Sequence, residues 1–180
     1  IASTFTRAGY EEAVRRVVDH ILAGDVFQVN ISQRLSAPLP PALTPFGLFR
    51  RLQRANPAPF GAYVASAGTV VACSSPERFL RLEGGEVETR PIKGTRPRGA
   101  DPEEDDRLAA ELAASEKDRA ENVMIVDLMR NDLSRVCADG SVAVPQLCRV
   151  ERFARVMHLV SSVTGTLRPG LGAVDLLEAC

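Results

Sequence analysis

The residues best suited to chemistry lie in four short stretches. The first, Pro91-Ile92-Lys93-Gly94-Thr95-Arg96-Pro97-Arg98-Gly99, leaves a β-like run and reads as a loop with a small residue directly after a lysine. Glycine lets backbone approach a ligand closely, so the Gly94 and Thr95 amides are suited to cradling a carboxylate. Lys93 would serve as a cation or, if desolvated, as an amine nucleophile; a basic surface turn is the competing reading. The second stretch, Lys117-Asp118-Arg119-Ala120-Glu121-Asn122, sits in a helical pattern and puts two carboxylates one turn apart. Such a pair suits a hard cation such as Mg²⁺, which keeps several waters and needs only one or two protein carboxylates. Solvated acids favoured by the helix dipole are the alternative.

Two single residues join them. Glu77, after Ser75-Pro76, is a candidate general acid or base, against the plain reading of an exposed glutamate at a strand start. His158 lies among Val156, Met157, Leu159 and Val160 on a β-like run, where a histidine is either catalytic or a hydrogen-bonded structural residue. His20, beside Asp19, reads as surface, and Asp127, Arg130, Asn131 and Asp132 read as an internal ion-pair network near Met124, Ile125 and Leu128. Of the 22 basic residues only Lys93 and Lys117 are lysines, which raises the weight of both, since lysine and arginine are not interchangeable.

The elements that must position these groups follow from periodicity. Residues 6 to 23 read as an amphipathic helix from an N-cap at Thr6, with Tyr10, Val14, Val17 and Ile21 at helical spacing and a stop at Gly24. Val26 to Leu35 alternates and predicts a strand with a polar second face that includes Gln28. Thr44-Pro45 opens a short helix carrying Phe46, Phe49 and Leu52, which Asn56-Pro57-Ala58-Pro59 ends. Strands are expected over 60 to 66, 69 to 73 and 78 to 83, and Gly84-Gly85 turns the chain into another over 86 to 92. Asp101-Pro102 with Glu104 caps a helix to about Ala114, and a longer one runs from about Glu116 to Val136. Two β-like stretches near 141 to 153 and 155 to 167 precede a last helix from Ala173 to Cys180. Helices and strands mix without regular βαβ spacing, so the expected class is α+β, with largely antiparallel sheets flanked by helices.

Composition bounds the class. The chain has 180 residues, 45% of them hydrophobic, and a net charge of −1, enough for one core in a single domain and unlike a disordered tail. Charged residues interrupt every apolar run, which argues against a membrane span. Arginines scattered among 23 acids argue against nucleic acid. Cys73, Cys137, Cys148 and Cys180 lack C-x-x-C spacing and a secretory leader, so free buried thiols in a reducing cytoplasm are expected rather than disulfides or zinc. Ile1 is no start methionine, and the chain reads as a partial piece.

Together these stretches resemble the chorismate-utilising enzymes. The resemblance rests on Gly24-Asp25-Val26-Phe27-Gln28-Val29-Asn30, on Pro91 to Arg98, on Asp118 to Asn122 with Asp127 to Asp132, and on Glu151-Arg152-Phe153 with Val156-Met157-His158. It spans essentially the whole chain, in family order. It implies an anthranilate synthase-like α/β sandwich, here incomplete. The resemblance is greatest to the aminodeoxychorismate synthase component I branch, with the anthranilate synthase component I branch next.

The roles it implies are specific. Asp118 and Glu121 match the family's first pair of Mg²⁺-site carboxylates, Gly94 and Thr95 the loop that contacts chorismate, and His158 the active-site histidine. Gln28 falls where the isochorismate-forming branch carries a water-activating lysine; glutamine cannot serve as that base, which favours ammonia as the nucleophile. Lys93 stands where the anthranilate branch reads alanine, and its implied task is to attack the ring at C2 and expel the C4 hydroxyl. Glu77 matches the residue that protonates that hydroxyl. A glutamine amidotransferase subunit or domain is the implied source of ammonia. Asn56-Pro57-Ala58-Pro59-Phe60 resembles part of the effector pocket of the anthranilate branch.

The family's fold continues with a Gly-Ala-Pro-Lys stretch, a substrate-binding arginine and a second pair of metal-site glutamates, none of which precedes Cys180. Residues 1 to 180 are therefore expected to be the leading part of a chorismate-binding domain, truncated at its C-terminal end, with half an active site, little activity alone and exposed edges prone to association. A non-catalytic truncated domain is the reading from a different class.

Overall fold

The computed structural model describes all 180 residues and divides into two compact units, Ile1–Leu48 and Phe49–Cys180. In the first unit, strand β1 (Ala2–Ser3) precedes helix α1 (Arg7–Ala23). The helix starts where the Thr6 hydroxyl accepts a hydrogen bond from the Gly9 amide and stops at Gly24, whose φ of 81° only glycine adopts at little cost. Its apolar stripe is not covered, with Val14 38% and Ile21 40% exposed.

The strand expected over Val26 to Leu35 is absent except at its end. Only β2 (Leu35–Ser36) forms, pairing antiparallel with Ser3 and Ala2. Alternation supplies two faces but not a partner; residues 26 to 33 join no strand ladder, Arg34 bonds to Thr4 through its carbonyl and amide, and Phe27 is 91% exposed.

Helix α2 (Pro45–Ala55) begins at Thr44, whose hydroxyl accepts from the Gly47 amide, and carries the chain into the second unit. There β3 (Phe60–Ser66) and β4 (Thr69–Ser75) form a two-stranded hairpin of their own. A five-stranded sheet follows, built from β5 (Arg81–Glu83), β6 (Glu86–Thr89), β7 (Ile92–Pro97), β8 and β9, all pairs antiparallel. Between β7 and β8 the chain forms α3 (Pro102–Ala114) and α4 (Glu116–Ser134); then come β8 (Ala143–Arg152), β9 (Val156–Thr166) and α5 (Ala173–Ala179). The α+β class and its antiparallel sheets are as expected.

Strand β9 organises the sheet. β8 runs along one edge, while β6 and β7 share the other, β6 against Val163 to Thr166 and β7 against Val156 to Val160. The β5–β6 turn is made by Gly84 and Gly85, both at positive φ, the signature of a tight hairpin. Met157, Leu159 and Val163 alternate toward the helices and are fully buried. Leu159 and Met157 pack with Ala109 and Leu112 of α3, and Val163 packs with Val126, Met129 and Leu133 of α4 and Leu176 of α5.

That packing corrects the reading of the long helix. Its buried face is Asn122, Val126, Met129 and Leu133, at spacings of four, three and four. Asp127, Arg130 and Asn131 fall on the opposite side and are exposed, and Asp127 and Arg130 form only a surface i,i+3 pair. No helix is long and apolar enough to cross a membrane. The four cysteines are free, Cys137 and Cys148 buried and the others half-buried.

Candidate active site

The lysine stretch is a strand, not a loop. Its neighbour β9 captures it, and the pairing runs Ile92 to Val160, Lys93 to Leu159, then Thr95 to His158 and Arg96 to Met157. Two residues of β7 thus face one of β9 at Gly94, a β-bulge held by a glycine at φ 74°. The bulge decides which side chains share a face. Lys93 shares the helix-covered face with its partner Leu159, and so does Arg96 with Met157, whereas Thr95 and His158 lie on the other face.

On the helix-covered face the bulge meets the start of α4. A β-carbon on Gly94 would come within 2.9 Å of Asp118 Cβ and Cγ and of Leu112 Cδ1, so the backbone there lies directly on the aspartate. Asp118 is placed by Ser115, whose hydroxyl accepts from the Asp118 amide as the helix N-cap. Its Oδ2 lies 3.4 Å from Arg96 Nη1, and Arg96 Nε donates to Glu111 Oε1 at 2.9 Å. Glu111, more than Asp118, raises the affinity of the Arg96 guanidinium for its proton. Glu121, one turn on, is half-exposed with Lys117 Nζ 3.9 Å away. Lys93 is half-buried and has no side-chain hydrogen bond or ion pair.

Glu77 reaches the same strand from the side. Its Oε1 accepts from the Ile92 amide at 2.8 Å, fixing the carboxylate one residue from Lys93, while Ser75 Oγ braces the Glu77 backbone. A cavity of about 330 Å³ opens beside it, lined by Glu77, Thr89, Pro91, Ile125 and Met129 among others. On the opposite face Thr95 Oγ1 and His158 Nδ1 are hydrogen-bonded at 2.9 Å, and the imidazole packs on the Phe153 ring. Lys93, Gly94, Asp118 and Glu77 are therefore drawn together, and Thr95 with His158 form a second pair across the sheet. Gln28 lies exposed in the first unit.

Asn122 has a larger part than its place in the motif suggested. It is fully buried; its Nδ2 donates to Leu159 O at 3.1 Å and Pro91 O at 3.5 Å, and its Oδ1 accepts from Ser161 Oγ and, at 3.6 Å, from Cys148 Sγ. Leu159 is the ladder partner of Lys93 and Pro91 is two residues before it. The amide thus ties α4, next to Glu121, to the strands around Lys93. Its spacing with Val126, Met129 and Leu133 was the available signal.

A second brace fixes the far end of β7. Asp105 of α3 is buried and accepts from Arg98 Nε at 2.6 Å and Nη2 at 3.0 Å, from the Gly99 amide, and from Arg152 Nε at 3.0 Å. The Arg98 guanidinium, with the Gly99 amide, holds the Asp105 carboxyl down at about 2.

The donor set at Asp118 and Glu121 suits a hard cation: two carboxylates one turn apart on a capped helix, one of them open to solvent. No cluster of three or more His, Cys, Asp or Glu side chains is arranged to hold a metal. A site resting on these two carboxylates therefore needs further oxygens from water or substrate.

Known proteins resemble the chain over nearly its whole length. The chain is 51% identical over 97% of its length to the anthranilate synthase component 1 of Thermus thermophilus, and 50% identical over 98% to the aminodeoxychorismate synthase component 1 of Salmonella typhimurium. It spans 37% and 38% of those two proteins. The crystal structure of anthranilate synthase component I from Streptococcus pneumoniae superposes with a TM-score of 0.85 at 36% identity, covering 99% of this chain and 38% of that one. The family profile described as chorismate binding enzyme matches residues 1–180, end to end. With the bulged lysine strand, the capped carboxylate helix and a whole-length match in one chain, the protein belongs to the chorismate binding enzyme family.

Proposed function

We propose that the chain is the leading part of the chorismate-binding domain of an aminodeoxychorismate synthase component I, which makes 4-amino-4-deoxychorismate from chorismate and ammonia. The observation that carries this reading is the setting of Lys93. Its amine is half-buried and unpaired, the next residue lies on Asp118, and the preceding amide holds Glu77.

In the proposed reaction Lys93 Nζ, as the neutral amine, bonds to ring C2. The two ring double bonds shift, and the C4 oxygen leaves with a proton from Glu77 as water. Ammonia then bonds to C4, the double bonds shift back, and Lys93 departs from C2, regenerating the free amine. Asp118 and Glu121 would hold a Mg²⁺ ion, which when bound would supply neutralisation of the substrate's carboxylate charge. Gly94 gives the backbone access that a planar carboxylate needs. A glutamine amidotransferase partner is the proposed source of that ammonia.

A second reading, anthranilate formation, is favoured by the 51% identity to the Thermus protein. The two separate in one experiment. A full-length polypeptide carrying these 180 residues is given chorismate, ammonium and Mg²⁺, and its products and intact mass are followed. Aminodeoxychorismate with a covalent adduct that Lys93→Ala abolishes supports the proposal. Fluorescent anthranilate, or unchanged turnover in Lys93→Ala, overturns it.

A further inference from the structure

The Asp118 carboxylate is already engaged by a cation of the protein itself. Arg96, two residues past the bulge glycine and on the same face, brings Nη1 to 3.4 Å from Asp118 Oδ2. Both groups are largely covered: the Asp118 side chain is 15% exposed and that of Arg96 25%. The guanidinium has two further acceptors, Glu111 Oε1 at 2.9 Å from Nε and the Thr95 carbonyl at 3.0 Å from Nη1. Its contact with Asp118 is the longest of the three.

A metal ion and a guanidinium cannot both sit on one carboxylate without strong repulsion, since like charges a few ångströms apart in a partly desolvated site cost several times their value in water. Arg96 is also free to leave, because Glu111 and the Thr95 carbonyl hold it when the contact with Asp118 breaks. We infer that Arg96 is the resident counter-cation of Asp118, which an entering divalent metal must displace, and that Glu111 on the last turn of α3 holds the displaced guanidinium. This rests on the reading of Asp118 and Glu121 as metal ligands. Arg96 lowers the metal affinity of the free chain and couples metal entry to the movement of one side chain.

The test is Mn²⁺ binding to the purified chain, read from the electron paramagnetic resonance signal of the free ion. Arg96→Gln and, as a second variant that keeps more of the aliphatic stem, Arg96→Met are expected to bind Mn²⁺ about fivefold tighter than the unaltered chain, the worth of one partly exposed ion pair. Arg130→Gln makes the same charge change about 18 Å further along α4 and is expected to leave binding unchanged. Asp118→Asn is expected to abolish it. Equal affinity in the Arg96 variants and the unaltered chain, or equal tightening by Arg130→Gln, overturns the role of Arg96 while leaving the metal reading standing. No binding at millimolar Mn²⁺ in any form, or full binding in Asp118→Asn, overturns the metal reading and this inference with it.

Discussion

Gly94 and Asp118 are in contact through backbone on one side and a carboxylate stem on the other, with no room for a β-carbon between them. This is how the lysine strand and the carboxylate helix come to share one surface. A side chain larger than hydrogen at 94 would push α4 off the sheet or turn the aspartate away, and the φ of 74° adds backbone strain for any other residue. Gly94→Ala is therefore expected to cost about 2 kcal/mol or more, read as a lowered urea midpoint by circular dichroism. A midpoint within error of the parent would mean that the bulge relaxes freely and does not fix the distance to Asp118.

Asn122 sets the other coordinate of the same arrangement. Asn122→Ala strips partners from the buried Ser161 hydroxyl and from Leu159 O, and a loss of about 3 kcal/mol is expected from unsatisfied groups and the cavity together. Asn122→Asp keeps the shape but sets an oxygen against the carbonyls of Pro91 and Leu159. It is expected to destabilise at least as much as alanine in the same denaturation assay. If aspartate were tolerated better, shape rather than the donated hydrogen bonds would hold α4 in place.

These two contacts mark where sequence reading stops. The ends of α1 were legible because Thr6 and Gly24 act within one turn, and so was the β5–β6 hairpin, where two glycines fix their own dihedrals. Whether Val26 to Leu35 became a strand depended on a partner outside the segment, and alternation cannot report that. The bulge at Gly94 depended on β9, some sixty residues away, which converted an expected loop into a paired strand and divided Lys93 from Thr95 across the sheet. Among the proposed site residues, chemical type was readable from local sequence; which of them share a face was not.

Asp105 gives the fold an acid-sensitive joint. Its folded pKa of about 2 lies below the value near 3.9 of an unfolded aspartate, so folding favours the ionised form. The stabilisation is complete well above pH 4, declines as the unfolded chain begins to take up the proton near that pH, and is gone once pH falls below about 2. Asp105→Asn retains the shape but not the charge that Arg98 and Arg152 share. The variant is expected to be less stable than the parent at neutral pH, and the gap between their urea midpoints should close as the pH is lowered from about 4 to about 2. Measuring that difference cancels the titration of the other carboxylates, which both proteins share. A gap that stays constant across the interval would show that the two arginines hold this corner by shape and hydrogen bonding, with no contribution from the ionised carboxylate. Since Arg98 follows directly on β7 and also donates to the Phe153 carbonyl, the same acidification should loosen the end of the lysine strand first. Faster amide exchange at Arg98 and Gly99 than at Leu159 over that pH interval, after correction for intrinsic rates, would report it.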